Sequence, residues 1–410
     1  MRDQRSPRSH PGSLAFPMFI AAFVALIATL VVIGYRDTPG GRDPSRTRNM
    51  GPLLDVAPTD GPTVVASGNA DPACFVPWSE TTRLFRYEPR PAPYRVALVN
   101  GYVGNDWRRQ MIRTAKAYAA RPEVASRLRE FKVVSTGEDV AAQLRTVEAF
   151  IDSGFDAILL DAQDPGAFTA AIRRANEAGI VLVAFDNTLD SDQAINIDVD
   201  QKALGRFWAE WLVRALPRGG RLLEVRGLPG TAVDRDRHDG ARAVLDASGG
   251  HWDTVEAWGR WDDAAARAAV AEALAGGQRF DAVMAQAGDN GVLRALAEAG
   301  HPFVPYGGEN ENGFRKACAR LGDAGLRCAS GGTGPAQVAV ALKTALAALE
   351  GKVVPQSIRL PLATVTHPDF QDGRDYHADL PDGFFVGNAF PACGIALAPG
   401  EILAHDPADR

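Results

Sequence analysis

Several apolar runs in this chain end abruptly on side chains that both donate and accept hydrogen bonds. "IVLVAFDN" stops at Asp186 and Asn187, "YRVALVN" at Asn100, and "DAILLD" at Asp161, with Asp164 close behind. "FDAVMAQAGDN" leads to Asp289 and Asn290, and "PFVPYGGEN" to Glu309 and Asn310. An apolar run is a buried strand, and polar groups at its end face a cleft. Carboxylates and amides together can share the protons of a bound molecule. The alternative for each residue is local: Asp and Asn also cap turns. The motifs of covalent or metal catalysis are missing. There is no Gly-x-Ser-x-Gly, no His-Glu-x-x-His and no phosphate loop. "GGTGPAQ" fails the dinucleotide pattern at its third Gly. Nothing pairs two carboxylates as a glycosidase needs. The expectation is binding without catalysis, with no cofactor and no metal.

The elements that must position these residues alternate. From Tyr94 onward short apolar strands are separated by amphipathic helices, among them "DWRRQMIRTAKAYAA", "QKALGRFWAEWLVRAL", "DRHDGARAVLDAS" and "PAQVAVALKTALAALEG". That order gives parallel sheets covered on both faces. The strands are too many for one small sheet, so two α/β lobes are expected. In such sheets ligands sit at the carboxyl ends of the strands, where the polar residues cluster.

The chain has 410 residues, 46% hydrophobic and 23% charged, with a net charge of -6. This is enough for two cores, and it lacks the basic face that nucleic acid requires. "MRDQRSPRSH" precedes an uncharged apolar run at 15–34. A bilayer span needs about 20 such residues, and the basic flank should stay in the cytoplasm. Residues 1–35 are therefore expected to be one N-terminal transmembrane signal anchor, with the body on the periplasmic or extracellular side. The alternative is a cleaved signal peptide, although "VVIGYRDT" has no small-x-small site. Residues 36–90, rich in Pro and Gly, read as a flexible linker whose end, around Cys74 and Trp78, docks on the body. Four cysteines in an exported chain suggest disulfides. Three pairings are open. Local closure favours Cys318 with Cys328, which leaves Cys74 for Cys393. No Cys-x-x-Cys or His cluster points to zinc.

The ordered motifs "RVALVNGYVGNDWRRQM", "DAILLDAQDPGAFTAAIRRANEAGIVLVAFDN", "RGLPGTAVDRDRHDGARAVL", "FDAVMAQAGDNGVLRALAEAG" and "PYGGENENGF" resemble the type I periplasmic solute-binding proteins. The branch is the one that includes ribose- and galactose-binding proteins. The resemblance covers about 92–366. It implies two doubly wound parallel-sheet lobes joined by a three-segment hinge. Lobe one would be 92–198 with 334–352, and lobe two 199–333 with 353–366. The hinge would include the Gly-rich 330–334, and 367–410 would be a C-terminal extension that folds back on the first lobe.

The same resemblance implies a sugar ligand. Asp186 would accept from two sugar hydroxyls with Asn187 beside it. Arg237, three residues before Gly240, would fork onto ring and hydroxyl oxygens; otherwise "DRDRHD" is a solvated helix start. Trp107 either stacks on a sugar face or belongs to the core. One of Asn105 and Asp106 caps the first helix, and the other can reach ligand. Asp164, Asn100, Asp289, Asn290, Glu309 and Asn312 complete the candidates. The family implies delivery to an ABC permease and ATPase. Two alternatives remain: a sensor that presents its solute to a membrane receptor, and a carbohydrate-active enzyme.

Overall fold

The computed structural model describes residues 61–66 and 68–408, which fall in one compact unit. The expected membrane anchor lies outside these residues. No described helix is long and apolar enough to cross a membrane.

The two large sheets begin with five strands: β1 (Tyr94–Asn100), β2 (Leu128–Ser135), β3 (Ala157–Leu160), β4 (Val181–Phe185) and β5 (Ile195–Asp198). Five more follow: β6 (Gly219–Arg226), β7 (His251–Trp258), β8 (Ala282–Ala285), β9 (Tyr306–Gly308) and β10 (Cys328–Gly332). Then come β11 (Ser357–Arg359) and β12 (Ala363–Thr366). They make two six-stranded sheets. Sheet one has the order β11-β5-β4-β3-β1-β2 and is parallel throughout. Sheet two has the order β12-β10-β9-β8-β6-β7, with only β12 antiparallel.

The helices that cover the sheets are α1 (Asp106–Ala119), α2 (Val140–Asp152), α3 (Thr169–Glu177), α4 (Gln201–Ala215), α5 (Ala232–Ala247), α6 (Asp263–Ala273), α7 (Asp289–Glu298), α8 (Asn312–Leu321) and α9 (Gln337–Leu349). Because both faces are covered, the central strands β3, β4 and β8 are buried at every position. Side chains start the helices sharply. Asn105, Asp139, Asp200 and Asp262 each accept a hydrogen bond from the backbone N–H three residues on. Helix α9 is apolar all round, and every residue except Lys343 is buried in lobe one. Helices α4 and α5 touch backbone to backbone. A Cβ on Gly240 would lie 2.1 Å from the Lys202 carbonyl oxygen, and one on Gly205 would lie 1.9 Å from that of Arg237. Only glycine permits this approach, which fixes where Arg237 stands.

The chain crosses between lobes at 199–200, 333–336 and 360–362. The third crossing differs from the expected boundary at 353, because β11 pairs with β5 in sheet one before the chain leaves for β12. The expected linker also ends earlier than residue 90. Thr63–Val65, Leu84–Arg86 and Val354–Pro355 form a small antiparallel sheet, and Phe75, Phe85 and Tyr87 are buried in the lobe-one core. Burying three aromatic side chains is worth more than leaving the segment free in water. The disulfides are Cys74–Cys393 and Cys318–Cys328.

The C-terminal extension does not stay on the first lobe. Phe370 is buried in the core of lobe two, whereas Phe390, Ile395, Leu397 and Ile402 are buried in that of lobe one. The extension therefore crosses the molecule a fourth time.

Candidate functional site

The carboxyl ends of the strands of both sheets converge on one narrow cleft with about 30 Å³ of room, the space of a water molecule or two. Asn105, Trp107, Arg108 and Asp186 line it from lobe one. Val233, Arg237, Trp261, Gln286, Ala287 and Glu309 line it from lobe two, and Phe385 from the extension.

The lobe-one face is organised around Arg108, which is 2% exposed. Its guanidinium donates to Asn100 Oδ1 at 2.8 Å, pairs with Asp161 and stands 3.8 Å from Asp186. Asn187 Nδ2 donates to Asp161 and Asp186 at 3.2 and 3.0 Å. The other oxygen of Asp186 accepts from Gln337 Nε2 at 2.9 Å, at the start of α9 and directly after the second crossing. Burial pushes the Asp161 carboxyl up to about 7, with Asp186 adding to the rise and Arg108 opposing it. Burial likewise raises Asp198 at the end of β5, with the Asp186 charge adding to the rise.

The lobe-two face is organised around Arg237. Its Nε donates to Gln201 Oε1 at 2.8 Å and one Nη to the Gln286 carbonyl at 2.9 Å. The other Nη lies 2.5 Å from Glu309. The guanidinium sits 5.7 Å from the Trp208 ring centroid. Burial raises the Glu309 carboxyl against the pull of Arg237. The backbone around this face leaves ordinary territory. Arg260 and Trp261 both have positive φ, at 55° and 56°, as do Ala287 at 135° and, across the cleft, Asp186 at 60°. Such conformations concentrate at binding sites. Two polar atoms of the lining are buried with no partner: the Trp261 indole N–H and the Gln286 side-chain carbonyl. Buried polar groups are nearly always satisfied, so a donor and an acceptor without partners in two residues of the lining call for one.

Of the residues singled out in the sequence, Asp186, Arg237, Trp107, Asn105 and Glu309 line the cavity. Asn105 also caps α1, and Trp107 donates from its indole to the Thr333 carbonyl at the second crossing, at 3.3 Å. Asn100 and Asn187 stand one layer behind, holding Arg108, Asp161 and Asp186. Asp289 is buried behind Glu309 and accepts from its backbone N–H at 3.1 Å. Asn290 turns away to Glu311, donating at 2.9 Å. Asn312 holds three carbonyls of the extension. Asp164 is exposed and closes a turn on Gly166, and half-exposed Asp106 pairs with Arg109. Sequence reasoning missed Arg108, Val233, Trp261, Gln286, Ala287 and Phe385. Arg108 carried a signal, since the third residue after an N-cap on a cleft-facing helix points the same way as the cap.

The lobes meet across the cleft mouth. Glu138 of lobe one pairs with Arg260 of lobe two, and the Val233 N–H donates to Asn187 Oδ1 at 3.4 Å. Among the described residues one trio, Glu224, His238 and Glu256, could meet a single cation, with ligand atoms within 4.8 Å of one another. Arg226 stands 2.5 Å from Glu256 and 3.9 Å from Glu224, and forks onto Asp234. The trio lies outside the cavity.

Residues 96–353 match the family model described as periplasmic binding protein domain. A D-ribose/D-allose-binding protein of Pseudomonas aeruginosa is 33% identical over 170 residues, 39% of this chain and 52% of that protein. A ribose import binding protein of Bacillus subtilis is 27% identical over 115 residues, 28% of this chain and 38% of that protein. The chain thus spans about half, or less, of the length of these curated relatives. An ABC transporter solute binding protein of Thermobispora bispora shares the fold with a TM-score of 0.66, at 23% identity, over 73% of this chain and 92% of that one. With the family model covering well over half its length, the chain belongs to the periplasmic binding protein domain family.

Proposed function

We propose that this member of the periplasmic binding protein family captures a small neutral sugar or polyol between its lobes. It would hand that solute to the permease and ATPase of an ABC importer. The observation that carries the reading is the pair of unpartnered groups at the cavity, Trp261 N–H and Gln286 carbonyl, set between two arginines already matched by acids. Arg108 answers Asp161, and Arg237 answers Glu309, so the walls hold no spare positive charge for an anion. What they lack is a molecule that donates and accepts at once, which is the chemistry of a hydroxyl. Trp107, Trp261 and Phe385 supply apolar surface for C–H groups.

The mechanism is closure. Asp186 is tied to Gln337, and Arg237 to Gln201, each at a crossing segment. A ligand gripped by both side chains bridges the lobes and stabilises the closed arrangement, while the crossings take up the rotation. The related sequences support sugar delivery, and the family supports a periplasmic or extracellular location. The apolar run 15–34 supports a tether, which also favours a second reading in which the solute-loaded protein signals to a membrane receptor.

The test is a thermal-shift screen of the purified full chain against D-ribose, D-allose, xylitol, myo-inositol and adenosine. At 100 times its dissociation constant a ligand adds about 2.7 kcal/mol of stability. One compound should raise the melting temperature, and Asp186→Ala should abolish that shift, costing roughly 100-fold in affinity through two lost charged hydrogen bonds. No shift with any sugar or polyol would overturn the reading.

A further inference from the structure

The family match ends at residue 353, yet one wall of the cavity comes from residue 385. Phe385 is 3% exposed, and its backbone is held by lobe one. Its N–H donates to Gln110 Oε1 at 2.8 Å, and its carbonyl accepts from Gln110 Nε2 at 2.9 Å. A single amide side chain of α1 thus satisfies both backbone groups. Its neighbours are held by lobe two instead. The Asn312 N–H donates to the Phe384 carbonyl at 2.8 Å, the Val386 N–H to the Asn310 carbonyl at 3.2 Å, and Asn310 Nδ2 to the Val386 carbonyl at 2.5 Å. Upstream, the Gly313 N–H donates to the Asp382 carbonyl at 2.8 Å. Downstream, Cys393 is bonded to Cys74 beside the lobe-one core.

Phe385 is therefore the point at which the extension passes from one lobe to the other, and it lines the cavity there. The backbone that carries this ring is bonded to both lobes, so it cannot shift away from a larger ligand without breaking bonds to one of them. The remaining aromatic walls, Trp107 and Trp261, belong to lobe one and lobe two respectively. Resting on the reading of the cavity as a solute site, we propose that Phe385 is a specificity-determining residue. It caps the apolar face of a compact neutral sugar or polyol and sets the size limit of the site. The extension is then a functional part of the binding site, and its backbone is a fourth connection between the lobes.

The test uses the full chain and titration calorimetry with D-ribose, xylitol, D-allose and myo-inositol. Wild type, Phe385→Ala, Phe385→Leu, Phe385→Trp and Asp186→Ala are compared, with melting curves to establish that each is folded. Phe385→Ala should weaken the tightest compact ligand at least tenfold and shift the ratio of dissociation constants at least fivefold toward the bulkier ligands. Phe385→Trp should shift that ratio the opposite way, and Phe385→Leu should retain most of the affinity. If Phe385→Ala does not fold, the Leu and Trp ratios decide. Unchanged affinities and ratios in Phe385 variants, with binding lost in Asp186→Ala, would overturn this inference and leave the proposed function standing. Absence of binding by wild type would overturn both.

Discussion

The two faces of the cleft solve one problem, holding a buried arginine at the cavity wall, in different ways. On lobe one Arg108 answers two carboxylates, Asp161 and Asp186, and the surrounding bonds run from side chain to side chain through Asn100, Asn187 and Gln337. On lobe two Arg237 answers one carboxylate, Glu309, and part of its support is backbone, at the Gln286 carbonyl and behind Glu309 at Asp289. The first face carries an acid in excess and holds it by burial and mutual pairing. The second is balanced. A side-chain network is only as secure as its least replaceable member, whereas a backbone-supported pair keeps its neighbours when one side chain is lost.

The contrast is broken most directly by removing each arginine. Arg108→Met strands two carboxylates, and chemical denaturation should show a loss of about 3–5 kcal/mol. Arg237→Met strands one, and its loss should lie at the lower end of the same range, about 3 kcal/mol. Equal losses, or the reverse order, would dissolve the distinction. A pH series then sharpens it. Because burial lifts Asp161 from its ordinary value to about 7, the folded protein holds that proton where the unfolded chain releases it. The stability so contributed is full below about pH 4 and is lost as pH rises toward 7. Asp161→Asn should flatten this part of the stability profile of the unliganded protein, and an unchanged slope would contradict the account. The smallest effect concerns the mouth, where the faces meet. Glu138 and Arg260 are well exposed, at 46% and 38% of their side chains. Glu138→Gln should cost no more than about 1 kcal/mol, measured by denaturation, and the difference should vanish in high salt.

Legibility in the sequence followed solvation. The central strands β3, β4 and β8 show as uninterrupted apolar runs because both of their faces are covered, and their polar ends pointed to the cleft. The edge strands β2 ("LREFKVVS") and β7 ("HWDTVEAW") went unread, because a half-solvated strand mixes charges into its run. Arg108 was hidden for a related reason: an arginine in a helix reads as surface until its acids are known. Asp289 and Asn290 were read as ligand contacts because a polar turn after a buried strand usually is one in this fold. Here α7 begins at that turn, and the turn is spent on Glu309 and Glu311, which leaves Gln286 at the cavity. Phe385 was beyond the reach of any local pattern. Its role comes from a return of the chain after the regular alternation has ended.

That return is made covalent by Cys74–Cys393, bonded across a sequence separation of 319 residues. Between those two positions the polypeptide is a ring rather than a string. A protease that cuts any one peptide bond inside the ring leaves both lobes, all four crossings and every wall of the cavity on a single molecule. Two cuts, or one cut and a reductant, are needed before a piece can leave. In the proposed role outside the cytoplasm, where disulfides persist and proteases are encountered, damage at one exposed loop becomes a nick and not a loss.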